Sequence, residues 1–225
     1  MRSGFIAANV ARHRSSSFLA RKMHFCSPSH AGALPIESRT MPAFFISDTH
    51  FGHENIIKTC NRPFANAEEM DEALIARWNE RISPGDCVYH LGDFCYRNAK
   101  SANRYVERLN GTIHLVTGNH DRETLAGHAG LFASVNLMLE VEIESQHIVL
   151  CHYPIREWHG SWRRAWHLFG HVHGRLDREP HGYSLDVGVD SHDFRPWSVN
   201  EIASALETRD NPFKAGRRPP VAKGA

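Results

Sequence analysis

No pair of cysteines is spaced as CxxC, no apolar run approaches the about 20 residues of a membrane-spanning helix, and the net charge is only +1 at neutral pH. Each absence excludes something. The five cysteines, Cys26, Cys60, Cys87, Cys95 and Cys151, are odd in number and irregular in spacing, which argues against a disulfide framework and for a reducing compartment. Without a span, the protein reads as soluble and cytoplasmic, with no membrane partner. A charge so near zero supplies no global field to draw in nucleic acid, so nucleic acid is not indicated and a phosphate-bearing partner must be held by local groups. Internal repeats are missing as well. At 225 residues and 41% hydrophobic content the chain suffices for one domain with a substantial core, and two would be cramped.

What the chain has in excess is histidine, 17 residues, and imidazole is both a common metal ligand and the usual proton carrier near neutral pH. The ends differ in kind from the middle. Residues 1–40 hold five Arg and seven Ser but one acid, Glu37. They read either as an organelle-targeting segment or as a functionless extension ahead of a start at Met41. The weak amphipathic pattern of Phe5, Ile6, Val10, Phe18 and Leu19 favours the second. Either way the stretch is expected to be disordered. Residues 41–208 form the expected domain, and residues 209–225 a flexible basic tail rich in Pro and Gly from Asn211 onward.

Between these ends, short apolar runs alternate with helical spacing. Strands are expected at 43–46, 87–91 and 112–116, with helices over 67–82 and 99–109. Ser83-Pro84-Gly85-Asp86 and Asn110-Gly111 act as stops. That order implies a largely parallel sheet. Beyond Asp121, closely spaced runs at 131–135, 137–143, 147–150, 167–169 and 183–187 read as a mainly antiparallel second sheet. A hairpin turn falls at Glu144-Ser145-Gln146, and a short helix near 199–206.

The polar clusters share one position on this skeleton. Asp48-Thr49-His50, Gly92-Asp93, Gly118-Asn119-His120-Asp121, Cys151-His152 and Gly170-His171-Val172-His173 each lie just past the C-terminal end of an apolar run, where open α/β sheets gather ligands. Taken singly they are weak: Gly-Asp is a turn signal, and Asp-x-His is more often a polar strand end. His171 and His173, two apart, would face one side of a strand. Together, three oxygen donors (Asp48, Asp93, Asn119) and four imidazoles (His50, His152, His171, His173) suit Mn, Fe, Ni or Zn rather than Ca or Mg alone. Seven donors are too many for one ordinary site and enough for two ions if one carboxylate bridges. Cys151 reads as a core thiol. Arg62 is balanced between a phosphate contact and a loop-anchoring ion pair. The Trp158–Trp166 stretch is balanced between a base-stacking lid and a surface loop pinned by its tryptophans.

These five motifs, in this order, resemble those of the calcineurin-like metallophosphoesterases. The likeness spans roughly Phe44 to Val189, and the strings Ser47-Asp48-Thr49-His50-Phe51-Gly52-His53 and Leu150-Cys151-His152-Tyr153-Pro154 resemble a small bacterial-type branch. The resemblance implies a four-layer α/β/β/α sandwich of two mixed sheets flanked by helices, with a di-metal site at strand C-terminal ends. It implies Asp48, His50 and His173 on one ion and Asn119, His152 and His171 on the other, with Asp93 bridging and manganese the favoured metal. It further implies hydrolysis of a phosphoester, a phosphodiester of a nucleotide or similar small molecule ahead of a monoester, by a hydroxide shared between the ions. His120 would meet the phosphate and the leaving group, with Asp121 orienting its ring. Relatives that keep the fold as a scaffold without catalysis typically lack that histidine. The loop Phe94-Cys95-Tyr96-Arg97 lacks the acid some relatives carry, and no insertion forms a separate substrate domain.

Overall fold

The computed structural model describes residues 41–96, 102–126 and 129–213. The expected disorder of residues 1–40 lies outside these, as does the tail beyond Phe213. Strand β1 (Ala43–Ile46) is buried along its whole length because both faces are covered. Phe44 and Ile46 point into one apolar cluster, with Met70, Leu74 and Trp78, whereas Phe45 joins the other, with Leu150, Leu168 and Ile202. This is the period-two alternation of a strand between two layers.

Helix α1 (Glu54–Thr59) follows β1, and α2 (Ala67–Arg81) starts where Asn66 caps it by accepting from the Glu69 N–H at 2.9 Å. The indole of Trp78 is buried, and its N–H donates to the Asn110 carbonyl at 2.8 Å, which satisfies its polar edge. Strands β2 (Cys87–His90) and β3 (Thr112–Val116) run parallel to β1. The helix expected over 99–109 is α3 (Asn103–Val106) among the described residues.

Three expectations for the second half need correction. The run at 131–135 is a 3-10 turn (Ala129–Leu131) followed by β4 (Ser134–Asn136), which joins the first sheet parallel to β3 rather than starting the second. The second sheet, β5 (Met138–Ile143), β6 (Gln146–Cys151), β7 (Trp166–Phe169) and β8 (Ser184–Asp186), pairs antiparallel only at β5–β6; β6–β7 and β7–β8 are parallel. Only the first connection is a tight turn, Glu144-Ser145 with φ of 51° and 65°, and the longer ones carry the chain back to the end where the preceding strand began. Third, Arg209, Asn211 and Phe213, assigned to the tail, pack on the domain. Arg209 donates to the Ser184 carbonyl, Asn211 to that of Ser161, and the Phe213 ring lies edge-on to Trp158.

A two-residue strand, β9 (Trp197–Ser198), adds antiparallel to β1, giving orders β4-β3-β2-β1-β9 and β5-β6-β7-β8. Ser198 and Glu201 form a capping box that starts α4 (Val199–Glu207), which packs on β1 and β8. The molecule is thus two mixed sheets flanked by helices. Among the described residues no helix is long and apolar enough to cross a membrane.

Candidate metal centre

The loops after β1 and β2 continue the parallel ladder beyond the strands. The N–H groups of Asp48, His50 and Phe51 donate to the carbonyls of Gly92, Asp93 and Phe94, each at 3.0 Å. Asp48, His50, Asp93, His171 and His173 all have left-handed backbones, with φ between 49° and 69°. Such residues cost of order 1–3 kcal/mol each and persist only where the surroundings enforce them. Here they turn side chains from neighbouring loops into a common space. Glycine is needed beside them: a Cβ on Gly118 would collide with Asp93 Oδ1, and one on Gly170 with Asp48 Oδ2.

Each carboxylate divides its oxygens between two tasks. Asp48 Oδ2 accepts from the His171 N–H at 2.9 Å, and Asp93 Oδ1 from the His120 N–H at 2.8 Å, so each ties down the next loop. The second oxygens face imidazoles. Asp48 Oδ1 lies 3.8 Å from His50 Nε2 and 3.9 Å from His173 Nε2. Asp93 Oδ2 lies 3.6 Å from His50 Nε2 and 3.5 Å from His152 Nε2, between the two groups.

The donor atoms gather as Asp48, His50 and His173 on one side and Asp93, His152 and His171 on the other. Asn119 Oδ1 joins the second group, 3.2 Å from His152 Nε2. His171 and His173 therefore do not share a face, as a strand would require; they sit in a turn and divide between the groups.

The rings are pre-aimed from behind. His152 Nδ1 donates to the Leu91 carbonyl at 2.7 Å, and His173 Nδ1 to Asp190 Oδ2 at 2.8 Å, which leaves each Nε2 facing the gap. Asp190 also receives Arg62 through two bonds of 2.9 and 2.8 Å, and Arg62 donates onward to the Asp48 and Thr49 carbonyls. Arg62 is thus the buried anchor of the loop, not an exposed phosphate contact.

A cation fits this donor set. Asp48 Oδ1 and His50 Nε2 are buried polar atoms without a hydrogen-bond partner, the pattern expected where an ion supplies the missing interaction. Burial pushes the Asp48 carboxyl up to about 6 and holds His50 well below the usual imidazole range, so His50 presents a neutral ring with a free lone pair. Burial works downward on His173 too, but its bonds to Asp190 and Cys60 and the charge of Asp48 outweigh it and lift the ring to about 10; a divalent ion would displace that proton. For Asp93 burial works upward and is overcome by His152 and His50, which hold the carboxyl below the ordinary range.

One role implied by the resemblance comes out differently, and of the two readings of the Trp158–Trp166 stretch the pinned loop is the one the structure favours. Asp121 does not orient His120: both its oxygens accept main-chain N–H groups, of Asp93 and Gly118 at 2.8 Å and of Phe94 at 2.9 Å, and it is fully buried. The Trp158–Trp166 stretch lies at the wrong end of the sheet for a lid, since it precedes β7, whose far end leads to His171. Trp158 is buried, with its N–H on the Ala165 carbonyl at 2.9 Å, so the loop is pinned.

His120 itself stands at the mouth, its ring 5.3 Å from that of His50, lining a cavity of about 260 Å³ with Tyr96, Asn119, Arg122 and Glu123. His53 stacks on Tyr96 at 3.8 Å beside it. Asp190 escaped the sequence reading, although it lies four residues beyond β8, where the rule that found the other clusters would have placed it.

Residues 41–187 match the calcineurin-like phosphoesterase superfamily domain. This chain belongs to that superfamily. An uncharacterized protein of Methanocaldococcus jannaschii is 36% identical over 171 residues, which cover 73% of this chain and 90% of that one. The crystal structure of a protein of unknown function from Aquifex aeolicus superposes with a TM-score of 0.60 at 25% identity, over 73% of this chain and 99% of that one. The superfamily typically binds divalent metals, and the two donor groups are candidate sites for them.

Proposed function

We propose that this chain is a di-metal phosphoesterase that hydrolyses a phosphodiester of a nucleotide or similar small molecule. The observation that carries the reading is Asp93, whose Oδ2 lies between His50 and His152 and so offers one carboxylate to both donor groups. Asp48, His50 and His173 would hold one ion, and Asn119, His152 and His171 the other; the mixed oxygen and imidazole donors suit Mn, Fe, Ni or Zn, of which the family resemblance favours manganese. Two divalent ions at such a centre supply a nucleophile at neutral pH and neutralise charge on the phosphoryl oxygens.

The residues do the rest. Asp48 and Asp93 each spend one oxygen on a neighbouring loop, so the donors are fixed before substrate arrives. His120, unlike the ligand rings, lies at the open side, where its imidazole can hold the proton that the leaving oxygen takes. A monoester dianion asks for one more cation than a diester. Arg62, buried at the centre, is already committed to Asp190 and supplies no such cation; Arg122, which lines the cavity beside His120, is the candidate that the substrate comparison tests.

The test is to load the purified protein with manganese and compare diester, monoester and nucleic-acid substrates, with Asp93→Asn alongside. A diester turnover that falls with metal content in the variant is expected. Monoester turnover alone would replace the substrate assignment, and two bound ions with no turnover on any ester would make the protein a metal-binding scaffold.

A further inference from the structure

A second set of donors stands at the opposite end of the second sheet. Glu140 on β5, His147 on β6 and His159 in the following loop each offer one ligand atom, all mutually within 4.8 Å. One carboxylate oxygen, Glu140 Oε2, lies 2.9 Å from His147 Nε2 and 2.8 Å from His159 Nδ1, so two imidazoles from different elements converge on it. His147 lies on β6 and His152 just past its end, five residues and about 16 Å along the extended chain, which separates this cluster from the strand-end centre. We propose that Glu140, His147 and His159 bind a zinc-class divalent ion at a site independent of the one described above.

Two imidazoles and a carboxylate are a common three-ligand set for zinc, with water completing a tetrahedron. Nitrogen and oxygen ligands at about 2.0–2.2 Å stand about 3.3–3.5 Å from one another around such an ion. Each ring therefore needs to move away from the carboxylate oxygen by only about 0.4–0.7 Å. The side chains are part-exposed, at 33% for His147, 40% for Glu140 and 67% for His159, so an ion can enter and keep a water.

The frame is already built. Glu142 pairs with His147 across the strands and faces the same side as Glu140, adding a second negative charge near the site. Gly160, with φ of 76°, brings the loop onto the His147 ring, where a Cβ would stand 3.0 Å from Nδ1. Gln146 Nε2 donates to the Arg164 carbonyl at 3.1 Å and ties that loop to the hairpin. Arg163, which lines a surface cavity together with His147 and His159, stands over the Trp162 ring, 5.8 Å from its centroid. A bound ion would cross-link the β5–β6 hairpin to the loop.

The test counts zinc per chain after equilibrium dialysis of the wild type, His159→Ala and Glu140→Gln. Because the difference between chains is read, the result does not depend on how many ions the strand-end centre holds. One ion fewer in both variants, with their hydrolytic rate in manganese within twofold of wild type, is expected. His159 is exposed and lies in a loop, and Glu140→Gln preserves shape, so both chains should fold, which circular dichroism checks. Equal zinc content in wild type and folded variants overturns the proposal.

Discussion

Asp190→Asn tests the idea that the metal centre is held from behind. The carboxylate serves three bonds at once, two from Arg62 and one from His173 Nδ1. An amide keeps one acceptor oxygen and turns its NH₂ toward a donor, so at most part of this set survives. Breaking a buried ion pair costs about 3–5 kcal/mol, because the remaining charge stays buried. The Arg62 side chain is fully buried, but it keeps the carbonyls of Asp48 and Thr49 at 2.8 and 3.1 Å, which places the loss near the lower end, about 3 kcal/mol.

For a domain of this size that is a fall in melting temperature of about 6–12 °C. Loss of the carboxylate behind a ligating histidine should also weaken metal binding about 10–100-fold. Thermal melts with and without chelator, and a metal titration on the same preparation, read both effects. A melting temperature within about 2 °C of wild type together with unchanged affinity would show that Asp190 neither pairs Arg62 nor aims His173 in solution.

His120→Ala should retain both ions while lowering turnover about 10²–10⁴-fold, the range of a general acid; loss of metal in that variant would make His120 a ligand. Asp121→Asn places an amide donor against main-chain N–H groups and should cost about 1–3 kcal/mol of stability for each unsatisfied donor. A drop in turnover with an unchanged melting temperature would instead return Asp121 to a role on His120. Burial works upward on Glu201, but hydrogen bonds from Arg81 and Ser198 outweigh it and hold the carboxyl at about 2, below its ordinary 4.5. Because the folded value is the lower one, its stabilisation is present above pH 4.5 and is lost as pH falls toward 2. The melting-temperature gap between wild type and Glu201→Gln should therefore narrow from pH 6 to pH 3; a gap independent of pH would dismiss the linkage.

The sequence by itself determined the local elements and the address of the site. A strand at Ala43–Ile46 and a helix over Ala67–Arg81 follow from apolar spacing and stop signals, which act over a few residues. The candidate ligand clusters were legible because five of them, each weak alone, share one position just past an apolar run. Tertiary structure decided the rest. His171 and His173 separate because their φ angles of 69° and 49° replace strand alternation with turns, and nothing in a two-residue spacing encodes that sign. Asp121 finds its partners on a loop 27 and 28 residues away, and Arg62 its carboxylate 128 residues away. The run at Ser134–Asn136 enters the first sheet because an open edge beside β3 accepts it. Spacing along the chain specifies which groups are polar and where the backbone turns, but the partner each group meets is fixed only when distant loops are packed against one another.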